Sequence, residues 1–225
     1  MADEGVRELC MSFAGLSALE RFVHTFTLRH PTVDVQADRA EVLRRLGGWH
    51  ADVVASLGFE LEQVASAEQV HGNQVAVVRS GTTEPVPGAD GLVCGEAGVL
   101  VGIYVADCCA VYAVDPVTGA FGVAHAGRKG AESGITTVMI ETMKREFGVL
   151  PENLTVQLSP CIRPPVFEID FAKLIRDQAA NAGVPEERIF DEGISTASDL
   201  ERYYSYRVEK GKTGRMFALL GRRQD

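Results

Sequence analysis

Two histidines and one cysteine near the middle of the chain have the residue types of a metal site. His71 lies in the string QVHGNQV, Cys108 follows the apolar segment VLVGIYV, and His125 follows the apolar segment AFGVA. Imidazole nitrogens and a thiolate are common zinc ligands, and a catalytic zinc site keeps its fourth position for water or substrate. These residues predict an active site with one zinc ion, provided that the fold brings them together.

A predicted β-hairpin would bring two of them together. The β-rich segments 110–114 and 120–124 are separated by Asp-Pro-Val-Thr-Gly, which is typical of a hairpin with a five-residue loop centred near Val117. Opposed residues in such a hairpin have numbers that sum to about twice that of the centre. Cys108 and His125 nearly satisfy this condition, so their Cα atoms are expected roughly 5 Å apart.

Other chemistries are open to the same residues. Without a metal, Cys108 and His125 could be the nucleophile and base of a thiol hydrolase, oriented by Asp107 or His71. Two histidines and a cysteine also form the ligand set of a blue-copper site. The chain has five histidines, which is few for a cluster of several coppers. In the simplest alternative, the cysteine is a small buried residue and the histidines make structural hydrogen bonds.

Composition limits the possible partners. The chain has 225 residues with a net charge of −9, which argues against a nucleic-acid surface but not against a small anion in a locally basic pocket. No apolar run is long enough for a membrane span, and the first residues, MADEGVRELC, lack the pattern of a secretory signal, so a cytoplasmic location is expected. The five cysteines do not suggest a disulfide framework. His24, His30 and His50 lie near predicted loops or helix ends and are expected at the surface.

Hydrophobic patterns and breakers predict a single domain over residues 1–225. The predicted strands are 22–28, 70–78, 99–105, 110–114, 120–124, 154–158 and 214–220. The predicted helices are 39–46, ended by Gly47-Gly48; one after His125 that ends at Gly148; and 171–182, ended by Gly183. Strands and helices mix without regular βαβ alternation, which favours an α+β fold with mixed sheets.

Basic residues near these segments are candidates for anion binding. Arg128 and Lys129 stand in a glycine-bearing loop at the predicted start of the helix after His125, where free N–H groups favour an anion. Arg207 and Arg215 lie in the tail string YYSYRVEKGKTGRM, among aromatic residues. Beside a pocket, such arginines could clamp an anion.

Several strings together resemble the YfiH-like family, also called laccase-domain or multicopper polyphenol oxidase-like proteins. They are QVHGNQV, ADGLV, VADCCAVYAVD, AHAGRKG, PCI and YYSYRVEKGKTGRM, in the family's order across most of the chain. The resemblance implies a layered α/β/β/α sandwich similar to the catalytic domain of cytotoxic necrotizing factor toxins. It also implies zinc bound by His71, Cys108 and His125. The implied activity is a purine nucleoside phosphorylase that also cleaves methylthioadenosine and deaminates adenosine, with copper a less favoured metal.

The chain departs from this family at two places that bear on the substrate. The family usually reads AHAGWRG where this chain reads AHAGRKG, so Arg128-Lys129 replaces Trp-Arg. The family also has an N-terminal segment that contains Thr-Arg, and of this segment the chain retains only Arg29, in FTLRHP. On this interpretation Arg29 and Lys129 hold phosphate, and Asp107 is the nearest carboxylate for acid–base work in deamination. The departures also leave open a binding protein with a degenerate site. A nucleoside and phosphate are the expected partners, with no nucleic acid and no membrane; the sequence leaves the oligomeric state open.

Overall fold

Two mixed β-sheets form the centre of the computed structural model, which describes residues 2–224. In spatial order, the first sheet contains β1 (Cys10–Met11), β2 (Phe22–Thr27), β11 (Met216–Arg222), β6 (Val99–Val105) and β3 (Val64–Ser66). The second contains β10 (Ile189–Asp191), β9 (Thr155–Leu158), β7 (Cys109–Val114), β8 (Phe121–Ala126), β5 (Gly91–Cys94) and β4 (Val75–Val77). The end pairs β3–β6, β4–β5 and β9–β10 are parallel, and the other pairs are antiparallel.

The sheets pack face to face, and helices cover their outer faces. The helices are α1 (Ala2–Glu8), α2 (Ala14–Ser17), α3 (Arg39–Ser56), α4 (Arg128–Glu132), α5 (Ile135–Phe147) and α6 (Phe171–Asn181). Phe26 of the first sheet and Tyr112 of the second share the core between the sheets. α3 packs on the outer face of the first sheet, and α5 and α6 pack on that of the second. The α+β fold with mixed sheets is confirmed, and its layers follow the order α/β/β/α.

The predicted hairpin is formed by β7 and β8, with a register that differs slightly from the prediction. His125 lies opposite Ala110, whereas the sequence estimate put it close to Cys108. The difference arises in the turn, where the amide of Asp115 donates to the carbonyl of Ala120 and the amide of Gly119 donates to that of Asp115. Cys108 therefore lies just before the first paired residue of β7, diagonal to His125.

Among the elements predicted with both bounds, two differ from the structure by more than two residues. α3 continues through Gly47-Gly48 to Ser56, because a buried face that includes Val53 and Val54 packs on the first sheet and outweighs the low helix propensity of glycine. The predicted strand 70–78 is shorter, since only Val75–Val77 pairs with a neighbour.

The prediction that His24 and His50 lie at the surface is wrong. Their exposures are 9% and 3%, because β2 and α3 turn these positions toward the packed layers. All five cysteines are free. Among the described residues, no helix has both the length and the apolar character needed to cross a bilayer.

Candidate active site

His71, Cys108 and His125 converge at one end of the second sheet. Their potential ligand atoms all lie within 4.8 Å of one another, and the two imidazole rings meet edge to face with centroids 4.8 Å apart. His71 comes from the loop before β4, Cys108 precedes β7, and His125 lies near the end of β8. His125 is buried, whereas His71 is exposed. The predicted set is therefore brought together, with one side open to solvent.

A glycine makes room for the thiol. A Cβ atom placed on Gly127 would lie 2.7 Å from the Sγ atom of Cys108, closer than real side chains approach. The same Cβ would be 3.5 Å from the His71 ring. Gly127 follows β8 directly, so the absence of its side chain lets the end of the hairpin close around the three ligand residues.

Asp90, which was not singled out from the sequence, joins the two histidines. Its carboxylate is 0% exposed and accepts hydrogen bonds from the amides of Val70, His71 and Gly72 at 3.2, 2.8 and 2.7 Å. It also lies 2.9 Å from Nδ1 of His125. The sequence signal that could have identified Asp90 is its place in the string ADGLV, directly before an apolar segment. A carboxylate buried beside a strand requires several hydrogen-bond donors.

The electrostatics of the site favour a thiolate. Burial alone raises the pKa of Cys108, but the charge of His125 and hydrogen bonds from His125 and His71 outweigh it and bring the pKa to about 6. Burial likewise lowers the pKa of His125, whereas Cys108 and Asp90 raise it to about 9. Without a metal, both shifts favour a thiolate–imidazolium pair.

The donor set fits a metal ion such as zinc. One ready thiolate and two imidazoles can provide three ligands, and the carboxylate of Asp90 supports the remaining nitrogen of His125 as outer partners of metal-bound histidines commonly do. The exposed side at His71 leaves space for a fourth ligand. The same donors could also bind copper.

A cavity of about 680 Å³ opens above the three residues. One wall is apolar and contains Ile162, Phe167 and Phe171. Basic side chains line much of the remainder: Arg39, Arg128, Arg207, Lys210 and Arg215. An apolar wall beside several cations is suited to a ligand that has both a flat ring and an anionic group.

Asp107 lies in this cavity next to Cys108. Its carboxylate accepts hydrogen bonds from the hydroxyl of Thr196 and the amide of Arg207, both at 2.7 Å. Its φ of 79° places it in the left-handed region, so the chain turns sharply between β6 and β7. The side chain is 7% exposed and is held in one orientation toward the cavity.

Four of the five predicted anion-binding residues divide into two pairs. Arg207 and Arg215 line the cavity, whereas Arg29 and Lys129 do not. Arg29 instead forms a 2.6 Å ion pair with Glu209. Lys129 is exposed on α4.

Arg128, next to Lys129, does line the cavity, but it has acidic partners. It pairs with Glu132 at 3.0 Å and with Glu168 at 3.4 Å. Neighbouring residues of a helix point in different directions, which explains why Arg128 faces the cavity and Lys129 does not.

Of the two predicted cations Arg207 and Arg215 in the cavity, Arg215 has the less neutralised charge, because Arg207 lies 3.9 Å from Glu168. Its guanidinium donates to the carbonyls of Thr213 and Gly214 at 2.9 and 2.8 Å. Among the side chains that the structure describes, those of residues 5–224, no carboxylate lies within ion-pair distance of Arg215, Arg39 or Lys210. Burial lowers the pKa of Arg215, and the charge of Arg39 lowers it further. A partly buried cation cluster of this kind favours an anionic ligand.

This chain is similar to known proteins over most of its length. The sequence matches the family described as multi-copper polyphenol oxidoreductase laccase over residues 32–171 and 167–223. YlmD of Geobacillus stearothermophilus, named a purine nucleoside phosphorylase, is 30% identical over 84% of this chain and 81% of its own. A protein of Deinococcus radiodurans with the same activity name is 32% identical, covering 82% of this chain and 80% of its own.

Solved structures show the same fold. The crystal structure of YlmD from Geobacillus stearothermophilus matches with a TM-score of 0.80 and 28% identity, covering 96% of this chain and 99% of that one. The Bacillus licheniformis protein YfiH also has a TM-score of 0.80, at 22% identity, over 91% of this chain and 94% of that chain. The chain belongs to the multi-copper polyphenol oxidoreductase laccase family.

Proposed function

We propose that this protein is a zinc-dependent purine nucleoside phosphorylase, with zinc held by His71, Cys108 and His125. The observation that carries the proposal is the convergence of these residues below a cavity with one apolar wall and an excess of cations. The activity names of relatives at about 30% identity support the choice of reaction. The substrates would be adenosine, inosine or methylthioadenosine, together with phosphate.

In phosphorolysis, the bond between the sugar C1′ and the purine nitrogen breaks, and a phosphate oxygen forms the new bond to C1′. The departing purine nitrogen takes up a proton, and the phosphate loses one as it becomes an ester, so the products are the free purine and the sugar 1-phosphate. Arg207 and Arg215, with Arg39 and Lys210 beside them, would hold the phosphate dianion, and positive charge near the attacking oxygen orients it. The purine would pack against the wall formed by Phe167 and its neighbours.

Zinc, when bound, would supply a Lewis acid that polarises an oxygen or nitrogen beside it. The residues that hold it have separate tasks. Cys108 contributes a negative charge, His71 lies on the solvent side, and His125 is fixed from behind by Asp90. Cys108 acts as a ligand in this mechanism and does not attack the substrate.

Deamination of adenosine is a second activity that the cavity could support. Water adds at the purine carbon that bears the amino group, and ammonia leaves, so one carboxylate must accept a proton and return it to the leaving nitrogen. Asp107 is the carboxylate that lines the cavity beside Cys108. Its two hydrogen-bond donors, Thr196 and Arg207, would keep it oriented during both transfers.

A Cys–His thiol hydrolase is the main alternative to a metal enzyme. The thiol of Cys108, with its pKa of about 6, the imidazole of His125 and the carboxylate of Asp90 also have the order of a nucleophile, base and orienting acid. A copper protein and a binding protein with a degenerate site are further alternatives. Likeness to the toxin catalytic domain and a cytoplasmic location remain predictions.

The test combines metal analysis with a nucleoside screen. Purified protein should contain about one zinc per chain, and purine release should depend on phosphate and yield the sugar 1-phosphate. Cys108→Ala should lose zinc and reduce phosphorolysis by about a hundredfold or more, because one of three ligands is gone. Cys94→Ala, a buried cysteine in β5, is the matched control and should keep both. Absence of zinc from the wild-type protein, or purine release without phosphate, would contradict the proposal.

A further inference from the structure

Asp90 occupies an unusual position, because one carboxylate contacts the segments that carry both histidines. Oδ1 accepts from the amide of His71 at 2.8 Å and lies 2.9 Å from Nδ1 of His125. Oδ2 accepts from the amides of Val70 and Gly72 at 3.2 and 2.7 Å. In addition, the amide of His125 donates to the backbone carbonyl of Asp90 at 2.7 Å. No water is needed to satisfy either carboxylate oxygen.

We propose that Asp90 is the positioning residue of the metal site. It fixes the backbone of the loop that presents His71, and it selects the proton position on His125 that leaves the other ring nitrogen free for a metal. This inference rests on the metal site proposed above, but not on the reaction that the site performs.

The first part of the argument concerns the His71 loop. His71 has a φ of 64°, a conformation that costs a non-glycine residue about 1 kcal/mol or more. Three successive amides that point at one carboxylate offset this cost, as in the anion-binding nests formed by turns. Gln69, also at a φ of 64°, ties the other side of the loop through two hydrogen bonds to the backbone of Tyr104, at 2.6 and 2.9 Å.

The second part concerns the His125 ring. A carboxylate only accepts hydrogen bonds, so the Nδ1 atom that faces Asp90 must carry a proton. The other nitrogen, Nε2, is then the one available to a metal, in a group of ligand atoms that lie within 4.8 Å of one another. One aspartate therefore settles the orientation of one histidine ligand and the protonation pattern of the other.

Asp90→Asn removes the negative charge and one acceptor oxygen but keeps the shape of the side chain. In the wild-type protein, both carboxylate oxygens of Asp90 accept hydrogen bonds from N–H groups. An asparagine side chain has only one oxygen, and its NH2 group would face N–H donors at the other position. If its NH2 group replaces Oδ1, it opposes the His71 amide and donates to Nδ1 of His125, which moves the proton to Nε2. If it replaces Oδ2, it opposes the amides of Val70 and Gly72. Either arrangement disturbs one histidine ligand.

Asp115→Asn is a matched control in the turn of the β7–β8 hairpin, at the end opposite to His125. Asp115 is also 0% exposed, and its carboxylate accepts hydrogen bonds from the amide of Val117 and the hydroxyl of Thr118 at 2.9 and 2.8 Å. Its substitution should lower stability through lost turn contacts without affecting the metal site. Comparison of the two variants therefore distinguishes positioning from general destabilisation.

The experiment measures binding of Zn²⁺ and Co²⁺ to each folded variant by competition with a chelator, and follows the thiolate-to-cobalt absorption band. Asp90→Asn should weaken metal binding by about 10- to 100-fold and shift or weaken the band, because outer partners of metal ligands have effects of this size. Asp115→Asn should bind both metals as the wild type does. Equal affinity of Asp90→Asn and wild type, or equal losses in the two variants, would overturn the proposal.

A second measurement uses only the wild-type protein, in case Asp90→Asn does not fold. Nitrogen NMR of the zinc-loaded protein should show His125 with a proton on Nδ1 and the metal on Nε2; the reverse pattern would overturn the proposal. Neither readout depends on nucleoside cleavage. If metal binding follows the prediction but phosphorolysis is absent, the positioning role stands and the proposed reaction fails.

Discussion

Cys108 has a different chemistry with and without a metal. In the metal-free protein its thiol, with a pKa of about 6, faces His71 and His125 and is half-buried, which are the properties of a reactive cysteine. Metal coordination would shield the same sulfur. The reactivity of the Cys108 sulfur therefore shows whether this residue is a metal ligand or an acylating nucleophile.

Alkylation of Cys108 by iodoacetamide should therefore be slow in zinc-loaded protein and accelerate after chelation, since binding occupies the thiolate. Mass spectrometry of the labelled peptide gives the rate, and Cys108→Ser identifies background labelling. Three other cysteines, Cys94, Cys109 and Cys161, are buried and provide internal controls. Rapid stoichiometric labelling in the presence of zinc would favour the thiol hydrolase.

Phosphate binding gives a second prediction at the scale of one residue. Arg215→Met, which keeps much of the side-chain volume, should raise the KM for phosphate by about tenfold or more, since a charge-assisted contact is lost from a cavity. Lys129→Met removes a cation that lies outside the cavity lining and serves as the matched control. A larger effect in Lys129→Met than in Arg215→Met would return phosphate to the site expected from the sequence.

At the scale of elements, α3 shows that packing can extend a helix past glycines that were predicted to end it. Asp38 caps the helix by accepting from the amide of Glu41 at 3.0 Å, and the buried face continues past the two glycines that were expected to end it. A Cβ on Gly48 would contact nothing within 4 Å, and its φ is not positive. Glycine is thus tolerated there, but the structure does not require it.

Gly48→Ala should stabilise the protein by about 0.5–1 kcal/mol, because alanine loses less backbone entropy in a helix. Gly58→Ala is the matched control just beyond the helix, with equally open space but a φ of 85°. Alanine in that conformation should destabilise the protein by about 1 kcal/mol. Urea denaturation measures both effects, and a loss of stability in Gly48→Ala would contradict the account of α3.

For the whole molecule, two buried histidines link stability to pH. Burial lowers the pKa of His24 to about 4, and it lowers that of His50 to about 4 with a smaller contribution from the charge of His30. Nε2 of His24 accepts from the amide of Phe13 at 2.8 Å and must remain unprotonated to do so. Both histidines are neutral in the folded protein at pH values where an unfolded chain, with a pKa near 6.5, already binds protons.

The free energy of unfolding should therefore fall as the pH decreases from about 6.5 to about 4, since the unfolded state binds more protons in this window. Below pH 4, His24 and His50 are protonated in the folded and the unfolded protein, and their contribution to the free energy of unfolding is lost. His24→Gln keeps an acceptor but cannot titrate, so its stability should decrease less between pH 7.5 and pH 5 in urea denaturation. Parallel decreases in the variant and the wild type would exclude His24 as a contributor.

The sequence alone was sufficient for the elements whose signals are local. The apolar run 99–105 became β6 with the same bounds, and the segments around Asp-Pro-Val-Thr-Gly became a hairpin. Since the turn limits which residues can face each other, the approach of Cys108 to His125 was predictable to within about one diagonal step. Their residue types then indicated the chemistry.

Tertiary structure decided what depends on residues distant in sequence. Arg39 reaches the cavity from the start of α3 and Arg215 from the segment before β11, while Glu209 neutralises Arg29. Asp90 acquires its role only when the loop before β4 folds over the end of β8. No local pattern encodes such encounters, because burial and charge pairing are set by the packing of whole layers.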